Sequence, residues 1–206
     1  MKEIDITKKY NLPKEVKFCK RCVISNQRPR ITFDEEQICS ACRYFEYKSS
    51  INWKKREEEL LTLLDKHRSK NGNFDCVVPS SGGKDSAFVA HELKHKYGMH
   101  PLTVTWSPHI YTDIGWKNFT NWSQTGGFDN ILFTPNGKLH RYLTQQAFLN
   151  LLHPFQPFII GQKNIGPRIA NKFNIPLVIY GENTSEYGSS ITENFDPIME
   201  TKYFTS

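Results

Sequence analysis

Residues 74–98, FDCVVPSSGGKDSAFVAHELKHKYG, decide how the rest of the chain is read. The run FDCVVPS is short and apolar, the composition of a buried strand, while GKDSAFVAHELKHKYG reads as a helix that stops at Gly98. Between them stand Ser80, Ser81, Gly82 and Gly83, followed by Lys84, Asp85 and Ser86 at the helix start. A glycine-rich turn from strand to helix is a place for phosphate, because backbone N–H groups and the helix N-terminus both point at it. Two common phosphate templates fail here. A Walker A loop needs GxxxxGK[ST], but these glycines are adjacent and Lys84 is followed by Asp85; the dinucleotide fingerprint GxGxxG is absent.

Downstream, the same alternation continues. HPLTVTWS reads as a second strand, IGWKNFTNWSQTGG as a helix, DNILFTPN as a strand, KLHRYLTQQAFLNLL as a helix, IGPRIANKFN as a further helical stretch and IPLVIYGEN as a strand. Strands alternating with helices imply a parallel sheet covered on both faces, so the expected class is α/β with a doubly wound parallel sheet from about Asn73 onward. After the strand ending near Tyr180 no clear further strand–helix unit follows, so either the sheet is small or the chain is a fragment of something longer. Upstream, NWKKREEELLTLLDKHRSKNG spaces Trp53, Leu60, Leu61, Leu63 and Leu64 among charges and ends at Asn71-Gly72, an amphipathic helix with a glycine stop.

The N-terminal third carries a different chemistry. Cys19 and Cys22 form CKRC, Cys39 and Cys42 form CSAC, and sixteen residues separate the pairs. Four thiolates at this spacing close a tetrahedral Zn²⁺ site, and a closed Cys₄ site leaves no open coordination position, so the metal is expected to be structural. The intervening VISNQRPRITFDEEQI is polar, with one short alternating run from Ile31 to Phe33. It suits a ribbon that the metal holds together in place of a core. Cys76 stands apart in an apolar run and reads as a small core residue. The expected organisation is a zinc-ribbon region over 1–50, a linking helix over 51–72 and a nucleotide domain over 73–206.

The formal charge of +6 is uneven: 17 Lys/Arg face 11 Asp/Glu up to Lys70, then 10 face 10. Such a balance attracts anions without choosing among them. No run of eighteen apolar residues exists and MKEIDITKKYNLPKE lacks the apolar stretch of a signal peptide, so a cytoplasmic protein without a membrane partner is expected.

Ser81-Gly82-Gly83-Lys84-Asp85-Ser86 resembles the SGGxDS signature of the PP-loop ATP pyrophosphatases, which have the adenine nucleotide alpha hydrolase-like fold. The resemblance implies ATP cleaved between the α and β phosphates, with pyrophosphate as leaving group and an adenylate as the activated species. Ser81, Gly82, Gly83 and Ser86 would then hold pyrophosphate and Asp85 would hold Mg²⁺. Trp106 to Pro108, after the second strand, are candidates for the adenine side, by the rule that ligands sit at the carboxyl ends of parallel strands.

Three readings fit a Cys₄ ribbon followed by SGGKDS. A tRNA thiolase would use the basic third to contact RNA, but related thiolases add core cysteines and none follows Cys76; unless sulfide is external, this disfavours sulfur delivery and a nucleic-acid partner. The second is the N-acetyl sugar amidotransferase family of bacterial surface-polysaccharide (lipopolysaccharide O-antigen) biosynthesis. FCKRCVISNQRPRITFDEEQICSAC, DCVVPSSGGKDSAFVAHELKHKYGMHPLTVTW and IPLVIYGENTSEYG resemble that family in order, across most of residues 17–190. This implies an ATP-dependent enzyme that activates the acetamido group of a nucleotide-activated N-acetyl sugar and replaces its oxygen with ammonia, supplied by a separate glutaminase subunit. Lys84, or Lys163 and Arg168, would supply positive charge, and Gly181, Glu182 and Asn183 would contact the acceptor or Mg²⁺. Lys84, Asp85 and Glu182 are thus the candidate catalytic residues. His109, His140 and His153 carry no spacing of a ligand or base and read as surface or packing residues. The third reading is a truncated, non-catalytic nucleotide-binding protein.

Overall fold

A computed structural model describes residues 8, 11–183 and 188. They fall into two compact units: one runs up to Trp53 and includes Asn183 and Gly188, and the other covers Lys54–Glu182. Whether a further strand–helix unit follows Tyr180 lies outside the described residues.

In the first unit Phe18 bridges Ser25 and Phe33 bridges Cys39, both antiparallel. The second of these bridges leads into helix α1, Ser40–Ser50. Nothing in α1 is buried, and it starts because the Cys39 thiol caps it, accepting from the Cys42 N–H. This helix was not expected from the sequence, since it has no apolar stripe to reveal it. The structural ordering comes instead from polar clamps. The Arg43 guanidinium reaches Asp34, Glu36 and Glu46, and Arg21 reaches Glu46. The Asp34, Glu46 and Glu36 hydrogen bonds hold the Arg43 pKa above its usual value.

Helix α2, Trp53–His67, belongs to the second unit from Lys54 onward, inserts Leu64 into its core and is followed by strand β1, Cys76–Pro79. Helix α3, Lys84–His91, continues through a π-turn, Glu92–Lys96. Strand β2, Pro101–Trp106, leads to helix α4, Asp113–Thr120, again extended by a π-turn, Asn121–Thr125. Strand β3, Asn130–Phe133, helix α5, Gly137–Leu151, and helix α6, Gln156–Lys172, complete the named elements.

The three strands are parallel in the order β1-β2-β3, with Cys76 opposite Pro101 and Thr103 opposite Asn130. Strands joined through helices must run parallel, and these do. The expected last strand is present only as an extended segment. The Val77 N–H donates to the Leu177 carbonyl at 2.8 Å, the Ile179 N–H to the Val77 carbonyl at 2.9 Å, and Val77 and Val178 form a single parallel bridge. Because Ser80 donates to Val104 in β2, Val77 points the other way, and the segment lies on the far side of β1. The chain therefore steps from β1 outward to β3 and then returns to the opposite flank of β1.

Both faces of the sheet are packed. Cys76 and Val78 join Leu64, Ala90, Leu93, Phe119 and Trp122, whereas Val77, Leu102 and Val104 join Ile165, Ala170 and Ile175. Cys76 is fully buried, as expected of a core residue. The α6 helix is longer than IGPRIANKFN suggests, beginning nine residues before Ile165. Its Gly161, Gly166 and Pro167 resemble helix breakers, but the first two are packing devices. A Cβ on Gly161 would lie 2.2 Å from the Trp106 ring, and one on Gly166 2.6 Å from Pro79 Cγ. Only glycine lets α6 lie this close to β1 and β2.

Candidate functional site

Each unit contains one arrangement with chemical potential. In the first, one ligand atom from each of Cys19, Cys22, Cys39 and Cys42 lies within 4.8 Å of all the others, and none of the four is in a disulfide. Cys22 and Cys39 sulfurs are 3.6 Å apart, Cys19 and Cys42 sulfurs 4.0 Å. A tetrahedron with Zn–S bonds of ~2.3 Å has edges of roughly 3.8 Å, close to these two separations, so the four cysteines are placed to hold a zinc ion. Backbone N–H groups already point at the sulfurs: Cys39 and Arg21 donate to Cys19 Sγ, at 3.3 and 3.4 Å, and Cys42 donates to Cys39 Sγ at 3.4 Å.

The electrostatics favour a cation at this position. Burial opposes ionisation of Cys19, but N–H donors from Cys39, Arg21 and Cys22 outweigh it and bring the thiol down to about 6. Burial and the neighbouring Cys22 thiol push Cys42 up to about 12. Cys39 is raised as well, by burial first. Four thiolates this close repel one another, and a divalent ion lets all of them ionise together.

In the second unit a cavity of about 400 Å³ opens at the carboxyl ends of β1, β2 and the 177–179 segment. This is where the strand order reverses, since the chain leaves β1 on one flank and returns on the other. Loop residues Ser80, Ser81, Gly83, Asp85 and Ser86 form one part of its lining, Trp106 and Lys163 another, and Tyr180, Gly181 and Glu182 a third.

The loop owes its form to Gly82. Its φ is +80°, and a Cβ there would stand 2.9 Å from the Phe119 Cα, so this turn excludes any side chain. Gly83 precedes α3 with extended backbone and no side-chain cap hydrogen bond, and the first turn of the helix faces the loop. Hydroxyls stiffen the turn. Ser80 Oγ donates to Ser86 Oγ at 3.0 Å, Ser86 Oγ donates to the Gly83 carbonyl at 3.2 Å, and the Gly82 and Gly83 N–H groups reach Ser80 and Ser81 hydroxyls.

Of the residues singled out in the sequence, Ser81, Gly83, Asp85, Ser86, Trp106, Lys163 and Glu182 come together around one cavity. Gly82 shapes the loop from behind. Lys84 is largely exposed and pairs with Asp85 at 2.5 Å, outside the lining. Arg168 is exposed on α6 and also lies outside it. His140 is a buried packing residue, stacked on His109 at 4.5 Å and edge-on to Trp106; burial, then His109, holds its pKa down. Ser80, Gln162 and Tyr180 line the cavity but were not singled out. Ser80 was legible as the serine preceding SGGKDS, whereas no sequence pattern marks Gln162 or Tyr180.

Gly181 makes the closest backbone approach in the cavity wall. A Cβ there would be 2.9 Å from the carbonyl carbon and oxygen of Asp85 and from the Ser86 nitrogen. Gly181→Ala is therefore expected to force the 180–182 turn off the start of α3 and to destabilise the unit by about 1–3 kcal/mol. Urea unfolding measures this, and an unchanged midpoint would refute the close approach.

No protein-family model matches the chain. An uncharacterized protein of Methanocaldococcus jannaschii is 30% identical over 87 residues, which make up 42% of this chain and 31% of that protein. The chain thus matches about a third of the length of that relative. Among the described residues, no helix is long and apolar enough to cross a membrane.

Proposed function

We propose that the Lys54–Glu182 unit is a doubly wound ATP pyrophosphatase domain of the PP-loop type, and that the protein is an amidotransferase acting on a nucleotide-activated N-acetyl sugar. The observation that carries this reading is the cavity at the point of strand reversal, lined by Ser81, Gly83, Asp85 and Ser86 on one side and Glu182 on the other. Helix α3 supplies N–H groups and dipole to the β and γ phosphates, and the Ser81 hydroxyl adds a donor, while Ser86 holds the shape of the loop. Trp106, packed between Gly161 and Phe133 at the end of β2, lines the cavity and is the aromatic residue placed for the adenine side. Asp85 is the residue suited to hold Mg²⁺, which supplies charge neutralisation of the leaving pyrophosphate.

In the proposed reaction the acetamido oxygen attacks the α-phosphorus and the bond to the β-phosphate oxygen breaks, releasing pyrophosphate. Ammonia then adds to the activated carbon, AMP departs with the original oxygen, and a proton is lost to leave an acetamidino group. The protein's share is to align two reactants and stabilise charge. Lys163 lines the cavity and can offset phosphate charge, and Glu182 can hold the acceptor or accept the proton that leaves. Ammonia delivery is assigned to a separate glutaminase subunit. Cys76 supports a reaction without sulfur: it is fully buried, and burial with Asp75 beside it pushes its thiol up to about 12, far from a nucleophilic or sulfur-carrying state.

Product analysis tests the reading. The protein is incubated with ATP, Mg²⁺, ammonium and a panel of nucleotide-activated N-acetyl sugars, and the mixture is resolved by mass spectrometry. AMP, pyrophosphate and a sugar changed by the mass difference between O and NH are the expected products. AMP with unchanged sugars would keep adenylation and remove the sugar acceptor, turning the search to RNA. Intact ATP throughout would overturn the enzyme assignment.

A further inference from the structure

Helix α6 carries a proline in its interior, Pro167. In an α-helix the N–H of residue 167 would donate to the carbonyl four residues earlier, that of Lys163; proline has no N–H to give. A hydroxyl from another element takes up that carbonyl. Tyr180 Oη donates to the Lys163 carbonyl at 3.1 Å. Tyr180 is the first residue of the 180–182 turn that lines the cavity, and its neighbour Gly181 rests on the Asp85–Ser86 backbone. On the helix side, Gly166 seats α6 against Pro79 at the end of β1, which brings the Lys163 carbonyl to the level of the turn.

We infer that Pro167 and Tyr180 act together as a latch: the Lys163 carbonyl, which gets no N–H from residue 167, takes the Tyr180 hydroxyl as donor and fixes Gly181 and Glu182 in the cavity wall. Both are positioning residues, and neither needs to touch a reacting atom. The latch explains two otherwise unrelated features. An interior proline is costly in a helix, and the 175–180 segment, whose Leu177, Val178 and Ile179 pack on the core, is hydrogen-bonded to β1 at Val77, before the turn begins. A hydroxyl anchored on a rigid helix supplies the missing restraint. Its role in turnover rests on the proposed ATP pyrophosphatase reading; its existence as a structural coupling does not.

A double-variant cycle of Tyr180→Phe and Pro167→Ala separates these. Tyr180→Phe removes the donor. Pro167→Ala restores a helical N–H that competes for the same carbonyl, so this variant should keep or raise the unfolding midpoint while releasing the turn. In the ligand-free protein, backbone hydrogen exchange in peptides covering residues 177–183 is expected to accelerate by about fivefold in each single variant and no further in the double, because one neutral hydrogen bond is lost in all three. For pyrophosphate release, kcat should fall by a similar factor with the KM for ATP within about twofold, since the phosphate loop is untouched. Additive effects in the double variant, or unaltered exchange in Pro167→Ala, would overturn the latch. If the parent protein turns over no ATP, the proposed function fails while the exchange cycle still decides the latch.

Discussion

Asp85→Ala is expected to abolish pyrophosphate release, lowering kcat by about 10³-fold or more, while the protein keeps its fold. The two halves of this expectation have separate grounds. For activity, Asp85 is the carboxylate of the loop that lines the cavity, and no other loop residue from Ser80 to Ser86 can hold a divalent cation with a negative charge. For stability, its side chain is about half exposed, and its interactions are the ion pair with the exposed Lys84 and a favourable place in the first turn of α3. An exposed pair is worth at most about 1 kcal/mol and a first-turn carboxylate a similar amount, so truncation costs little. Circular dichroism and urea unfolding should match the parent, and a phosphate-release assay coupled to pyrophosphatase should fall to background. Retained turnover with Mg²⁺ would remove Asp85 from the metal role.

Cys39→Ser is expected to cost the first unit its metal and its structure together. Binding of structural zinc supplies roughly 10–16 kcal/mol in small metal-held folds, far above any other term available here. The described part of this unit has little apolar core to replace it. Only Cys19 and Cys39 among its hydrophobic residues are buried, while Phe18, Val23, Phe45 and Tyr47 are exposed. Cys39 is also the cap of α1, and serine is itself a good helix cap, so this variant removes the ligand while leaving an acceptor for the Cys42 N–H. The parent should carry one zinc per chain by metal analysis. The variant should carry less, and α1 should lose protection from hydrogen exchange. A zinc content that stays at one per chain would argue against the four-cysteine site.

The difference between these two units also explains what the sequence made legible. Cys76–Pro79 is buried on both faces and reads as an uninterrupted apolar run, and Pro101–Trp106 alternates apolar residues with the β-branched Thr103 and Thr105, so both stand out. SGGKDS was legible because its glycines serve backbone geometry that few residues permit, as the φ of Gly82 shows. The cysteine pairs were legible because metal geometry dictates their spacing. What escaped was whatever a distant partner defines. Helix α1 has no buried stripe and owes its start to a thiol cap; the first part of α6 hides behind Gly161 and Gly166, whose meaning is set by Trp106 and Pro79. Lys163 and Arg168 were equal candidates in the sequence, five residues apart on one helix, and only the helix's rotation toward β1 and β2 separates the one that lines the cavity from the one that does not.

The return of the chain to the far flank of β1 has a consequence for synthesis. The Ser80–Ser86 loop leaves the ribosome about a hundred residues before Tyr180, an interval of roughly 5–20 s at ordinary elongation rates. During that time Val77 has no neighbour for its outward N–H and carbonyl, so β1 is an open edge on a nascent chain. The loop is complete but its opposite wall does not yet exist, and the cavity forms only when the polypeptide closes back on its first strand.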